Sequence, residues 1–140
     1  MAVDERQLER PDCTAINTGN LGELLVSKEL AVRGWSVCLP IFNGNASRFD
    51  VIAAKNQQLH RIQVKSSGQC NTIHKFTTGH GLRSKVRYDI GDFDFMVLVA
   101  ISVEDFFILP AELATQKVGI RVSVGGKYWK YRNRWDLIEE

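Results

Sequence analysis

The chain has 140 residues, 44% of them hydrophobic and 24% charged, which is one domain of ordinary globular composition, able to build a core without disulfides or structural metal. No apolar run reaches the length of a membrane span, and the polar, acid-containing start MAVDERQLERPD is no signal peptide, so the expected setting is cytoplasmic or the DNA-containing compartment of the host. Net charge is only +2, but it is laid out in blocks: basic without acid over 51–88, acidic without base over 89–112, basic again over 117–134, a pattern able to build a basic face that meets phosphate.

Residues 1–13 read as a poorly ordered lead-in to a single domain that takes up the rest of the chain. A helix is expected from a cap at Asn17 or Thr18 to about Arg33, stopped by Gly34. Its apolar stripe is expected to be Leu21, Leu24, Leu25, Ala31 and Val32. Glu23 then lies roughly opposite that stripe, beside Gly19, Ser27 and Leu30, at about 100° per residue. WSVCLP (35–40) reads as a short strand stopped by Pro40, and FNGNAS (42–47) as a loop. RFDVIAAK and LHRIQVKSS are two strands joined by a polar turn at Asn56-Gln57, a hairpin. Residues 68–84, with Gly68, Gly79 and Gly81, read as an exposed loop. FDFMVLVAIS (93–102) is nearly continuously apolar, as suits a strand covered on both faces. DFFILP (105–110) is its partner, AELATQ a short helical piece, GIRVSV a further strand before a glycine turn at Gly125-Gly126, and WDLIEE a closing helical turn. One helix, several strands and late helical pieces suggest α/β layers around a mixed sheet.

The hairpin makes a specific demand. With the turn centred on Asn56-Gln57, Lys55 pairs with Gln58, Ile52 with Arg61, and Asp50 falls opposite Gln63. Directly paired side chains in antiparallel strands sit about 5 Å apart on one face, and Lys65, two residues on, shares that face with Gln63. The other face carries Phe49, Val51 and Ala53 against Val64, Ile62 and His60, mostly core. A carboxylate, an amide oxygen and an ammonium gathered in one place are costly to bury without a purpose. A divalent metal gives one: Mg²⁺ takes oxygen ligands and keeps several waters, Asp50 and Gln63 can offer oxygens, and Lys65 can orient or deprotonate a water or neutralise a phosphate. Glu23, from the helix, could complete the set. The bland alternative is a structural Asp50–Lys65 salt bridge, although buried pairs are weak devices for stability. Zinc is not indicated, since Cys13, Cys38 and Cys70 form no CxxC pair and His60, His74 and His80 lack ligand spacing.

The helix segment GNLGELLVSKELAVRGWSV, the strand RFDVIAA, the strand RIQVKSS and the later DFDFMVLVAISVEDFFILP together resemble the PD-(D/E)xK nuclease superfamily over about residues 17–110. The resemblance implies a restriction-endonuclease-like core, a central mixed β-sheet flanked by helices. It aligns Glu23 with the family's helix glutamate, Asp50 with its metal-binding aspartate, Lys65 with the lysine of the terminal motif, and Gln63 with the position that is usually Asp or Glu. Homing endonucleases encoded in group I introns include members with QxK here; archaeal Holliday-junction resolvases share the arrangement with an acid. The implied activity is a Mg²⁺-dependent DNA endonuclease, Mn²⁺ able to substitute, with Glu23, Asp50 and Gln63 as metal ligands and Lys65 beside them in catalysis. The QxK variant tilts the reading towards a homing or mobile-element enzyme. A junction-resolvase-like nuclease and a non-catalytic DNA-binding or assembly module on the same fold are the alternatives.

Lys75, Arg83, Lys85 and Arg87, in or beside the glycine-bearing loop, are expected to contact phosphate, as are Lys127 and Lys130 in KYWKYRNRW. Trp129 and Trp135 are expected to pack on the core, and Tyr88 to be structural. The partner is double-stranded or branched DNA, with no membrane. Because one such site cuts one strand, a homodimer or homotetramer is expected.

Overall fold

In the computed structural model, residues 15–41, 48–68, 73–79 and 86–140 are described, residues 15–17 by backbone alone. Helix α1 (Ala15–Val32) leads. Its N-terminus lies ahead of the expected cap, so Asn17 and Thr18 sit inside the helix. Gly34, at φ 91°, ends it as expected.

The buried line of α1 is not the expected one. Val26 and Leu30 are fully buried, whereas Leu24 is 63% and Val32 75% exposed. Gly22, Val26 and Leu30 repeat at i, i+4 and i+8, and Gly22 presses on the second hairpin strand so closely that a Cβ there would overlap Ser66 Oγ and lie 3.0 Å from Ser66 Cβ. Close approach selects the glycine, and it sets which side of α1 faces inward.

Strands β1 (Ser36–Cys38), β2 (Val51–Lys55), β3 (Gln58–Ser67), β5 (Phe95–Ala100) and β6 (Asp105–Pro110) form one sheet in the order β1-β2-β3-β5-β6. Every pairing is antiparallel except β3 with β5, which is parallel. The β2–β3 register is the predicted one: Lys55 pairs with Gln58, Ile52 with Arg61 and Val51 with Ile62. Asn56 and Gln57 both take positive φ, 50° and 67°, as a two-residue hairpin turn of the I′ kind requires.

A parallel β3–β5 pair needs a crossover. Here it contains β4 (Ile73–Thr77), which pairs antiparallel with β7 (Gly119–Ser123) in a separate two-stranded ribbon. The expectation of an exposed loop over 68–84 is therefore corrected. IHKFT alternates exposed and buried residues, with His74 and Phe76 turned inward. The loop expected at 42–47 lies outside the described residues, as does the lead-in at 1–13.

The sheet is covered on both faces. On one side Val26 and Leu30 of α1, with Trp135 and Ile138, close over Val51, Ile62, Val64, Val97 and Val99. On the other, Phe76, Ile120 and Val122 of the ribbon, with Tyr88 and Phe93, close over Met96, Leu98, Phe107 and Leu109. Residues Met96 to Ala100 are fully buried, which is why that strand reads as unbroken apolar. The short α2 (Ala111–Ala114) and α3 (Asp136–Glu139) match the two late helical pieces. Trp135 packs on Phe106 and Trp129 on Phe107, with ring centroids 5.4 and 5.6 Å apart, so both tryptophans are core residues as expected. Among the described residues, no helix is long and apolar enough to cross a membrane.

Candidate active site

Asp50 sits one residue ahead of β2, beyond the last register pair of Val51 with Ile62, and its backbone N–H donates to Ile62 O at 2.9 Å. Its Oδ2 accepts two hydrogen bonds, from Gln63 Nε2 at 2.7 Å and from Val64 N at 2.9 Å. The amide of Gln63 also donates to Val64 O at 3.2 Å. Contrary to an open polar face, Gln63 is only 4% exposed, because β5 runs beside it and the ribbon side covers the sheet. Its Oε1 is buried with no hydrogen-bond partner.

Lys65 emerges two residues further along β3. Its Nζ donates to Gly79 O at 3.3 Å and lies 5.2 Å from the centroid of the Tyr88 ring. Glu23 arrives from α1, one position beyond the glycine that allows the helix to touch β3. All four side chains line one cleft of about 840 Å³, with Lys75 of β4 and the serines Ser66 and Ser67 on its walls.

Burial raises both carboxyls, and Glu23 also feels the charge of Asp50. Partial burial, and then the charge of Asp50, push the Glu23 carboxyl up to about 7. Burial raises Asp50 as well, against the opposing pull of the Val64 N–H and the Lys65 ammonium. Burial also drives the Tyr88 phenol up to about 12, with the Asp50 charge adding to it, so Tyr88 presents a neutral ring to Lys65.

Among the described residues, no group of three or more His, Cys, Asp or Glu gathers as a metal cluster. The donor set in the cleft is two carboxylates and an amide oxygen. It fits a hard divalent cation: the ligands are all oxygen, a cation would offset the burial that raises both carboxyls and the Asp50 charge that adds to it at Glu23, and Gln63 Oε1 has lone pairs that cost about 1–3 kcal/mol when buried unpaired.

Of the remaining expected contacts, Lys75 lines the cleft, and Arg87 is exposed just ahead of Tyr88. Arg83 and Lys85 lie outside the described residues. Lys127 and Lys130 line a different, smaller cavity. Sequence reasoning missed two groups. Tyr88 underlies the Lys65 ammonium, which no local pattern signals. Arg121 pairs directly with Lys75 across the ribbon, and the alternation of IHKFT with GIRVS could have revealed it.

The sequence model of a family described as PD-(D/E)XK endonuclease matches residues 14–138. The chain belongs to this family. In this PD-(D/E)XK endonuclease Asp50, Gln63 and Lys65 line the same cleft. Among solved structures, the bacterial homing endonuclease I-Ssp6803I is similar with a TM-score of 0.72, covering 89% of this chain and 91% of that one at 20% identity. That likeness speaks for the fold: the mixed sheet with flanking helices is the restriction-endonuclease-like α/β architecture expected from the sequence. No curated protein matches this PD-(D/E)XK endonuclease.

Proposed function

We propose that the chain is a metal-dependent DNA endonuclease that hydrolyses phosphodiester bonds in double-stranded or branched DNA, in the role of a homing or mobile-element nuclease. The observation that carries this reading is the convergence of Glu23, Asp50, Gln63 and Lys65, from a helix and two strands, into one cleft. The fold likeness to a homing endonuclease and the amide at position 63 support the mobile-element role.

Glu23, Asp50 and Gln63 Oε1 would hold Mg²⁺, with Mn²⁺ able to substitute. When bound, the cation supplies Lewis-acid stabilisation of developing charge and lowers the pKa of water. Asp50 is held in place for this by its hydrogen bonds from Gln63 and Val64. The Lys65 ammonium, steadied by the Gly79 carbonyl and the Tyr88 ring, orients the attacking water or neutralises the phosphate oxygens as the pentacoordinate phosphorus forms. Lys75 contacts a flanking phosphate from the cleft wall. A cleft of this kind cuts one strand, so a double-strand break takes two copies, in a homodimer or homotetramer.

The test is cleavage of supercoiled plasmid and of a four-way junction in Mg²⁺, Mn²⁺ or EDTA, with metal binding followed by calorimetry. Metal-dependent cutting by the wild type, reduced about 10²-fold or more in Lys65→Ala, is expected. Marked preference for the junction would move the role to a resolvase-like nuclease. No cutting together with no metal binding would leave a DNA-binding module on this fold.

A further inference from the structure

A second cluster of charge lies outside the cleft. Lys117, Lys127 and Lys130 line a cavity of about 150 Å³ with Leu113, Tyr128 and Tyr131. The Lys117 Nζ donates to the Tyr128 hydroxyl at 2.9 Å and lies 5.6 Å from the centroid of that ring. Lys127 Nζ lies 5.0 Å from the same centroid, and Lys130 Nζ 5.4 Å from that of Tyr131. Two ammonium groups therefore share one aromatic ring, with a third alongside.

Several other cations of the fold are neutralised. Arg61 pairs with Asp94, Lys55 with Glu139, Arg132 with Asp105 and Arg134 with Asp136. The last two belong to the same basic block as the three lysines. Among the described residues, none of Lys117, Lys127 and Lys130 has an acidic partner within ion-pair distance, and no carboxylate lines their cavity. The local potential is felt by Tyr128: burial alone would raise its phenol, yet hydrogen bonds and charge from Lys117 and Lys127 hold it below its ordinary value.

Like charges held together in a concave site favour an anion. Lysine ammoniums are compact charges with three donors each, well suited to the tetrahedral oxygens of a phosphoryl group. We propose that this cavity is an oxyanion site for a phosphoryl group, separate from the catalytic cleft and supplied by a nucleic acid backbone or by free phosphate. The proposal does not rest on the catalytic reading, since it involves neither the cleft residues nor a metal.

The experiment is amine acetylation read by mass spectrometry on the intact wild-type chain in EDTA. The probes are inorganic phosphate and a short DNA duplex, and Lys28, exposed on α1, is the internal control. Severalfold slower acetylation of Lys117, Lys127 and Lys130 with Lys28 unchanged is expected. The source is then assigned by duplex binding at several salt concentrations, for the wild type and for the folded triple variant K117Q/K127Q/K130Q. A log–log salt slope shallower by about 1 in the variant identifies a backbone phosphate. Protection by phosphate with the slope unchanged identifies a free phosphate. Protection by neither probe, or protection by DNA alone with the slope unchanged, which is mere shielding, overturns the proposal. Absence of cleavage elsewhere has no bearing, because every arm is run without metal.

Discussion

Glu23 shows how position decides the chemistry of a carboxyl. Half-buried near Asp50, it titrates at about 7, above its ordinary 4.5. A raised acid means that the folded state binds the proton more tightly than the unfolded one. Its contribution to stability is therefore full below about 4.5 and is lost as pH climbs through about 7. In EDTA, the urea stability of the wild type is expected to fall relative to Glu23→Gln between about pH 5 and 8. A metal held by Glu23 would compete with the proton for the same oxygen, so metal affinity is expected to rise over that window and level above it. Calorimetry in buffers of different ionisation enthalpy should detect proton release near neutrality, and Glu23→Gln should abolish it. Tyr88 makes a separate point: its ring underlies the Lys65 ammonium. Tyr88→Phe is expected to keep cleavage near wild type, while Tyr88→Leu lowers kcat by about 3- to 30-fold, the equivalent of a cation–π contact of about 0.5–2 kcal/mol. Equal losses in both variants would show that the platform is irrelevant.

At the level of elements, the site depends on how α1 meets β3. Gly22→Ala must push the helix off Ser66, and a loss of about 1–3 kcal/mol is expected. Gly19, one turn earlier, has nothing near the place a Cβ would occupy, so Gly19→Ala should gain about 0.5–1 kcal/mol through helix propensity. Urea denaturation of the two variants gives opposite signs if this contact is as described. The same contact explains what could be read from the sequence. The hairpin was legible because a two-residue turn fixes register by arithmetic as far as Val51 and Ile62; Asp50, expected opposite Gln63, lies one residue beyond the paired ladder and meets Gln63 through its side chain. The fully apolar strand was legible because cover on both faces leaves no polar alternate. The inward side of α1 was not, since Leu21, Leu24 and Val32 form a rival stripe and only the tight approach at Gly22 decides between them. β4 was hidden for a related reason: its five residues alternate, but glycines and polar groups on both sides give it the composition of a loop. The burial of Gln63 was missed because the ribbon that covers it was not recognised.

Across the whole molecule, the charge blocks of the sequence do not become separate faces. Arg61 crosses to Asp94 and Arg132 to Asp105, so basic and acidic segments neutralise each other where they meet. Among the described residues, Lys75 at the cleft, Arg121 beside it, and the lysines of the second cavity stand outside these ion pairs. Because α1 and both arms of the hairpin supply the oxygens of the cleft, a bound cation would tie them together and stabilise the native state. Saturating Mn²⁺ or Mg²⁺ at about 100 times its Kd should add about 2.7 kcal/mol and raise Tm, reversibly with EDTA. Asp50→Asn should abolish the rise, and an unchanged Tm in the wild type would argue against metal in the cleft.

The packing of Trp135 and Ile138 against Val26 and Leu30 has a consequence for biosynthesis. The layer that seats α1 on the sheet takes side chains more than 100 positions apart in the sequence. Glu139 adds to the closure by accepting hydrogen bonds from Trp35 and Lys55, next to the end of the helix. A nascent chain that has released α1 and the hairpin still lacks the lid over that layer. That layer is complete only once translation has passed residue 138, so a partly made polypeptide bears the cleft residues without the full packing that seats α1 on the sheet. Contacts of such long range also slow folding, which separates synthesis from the first competent cut.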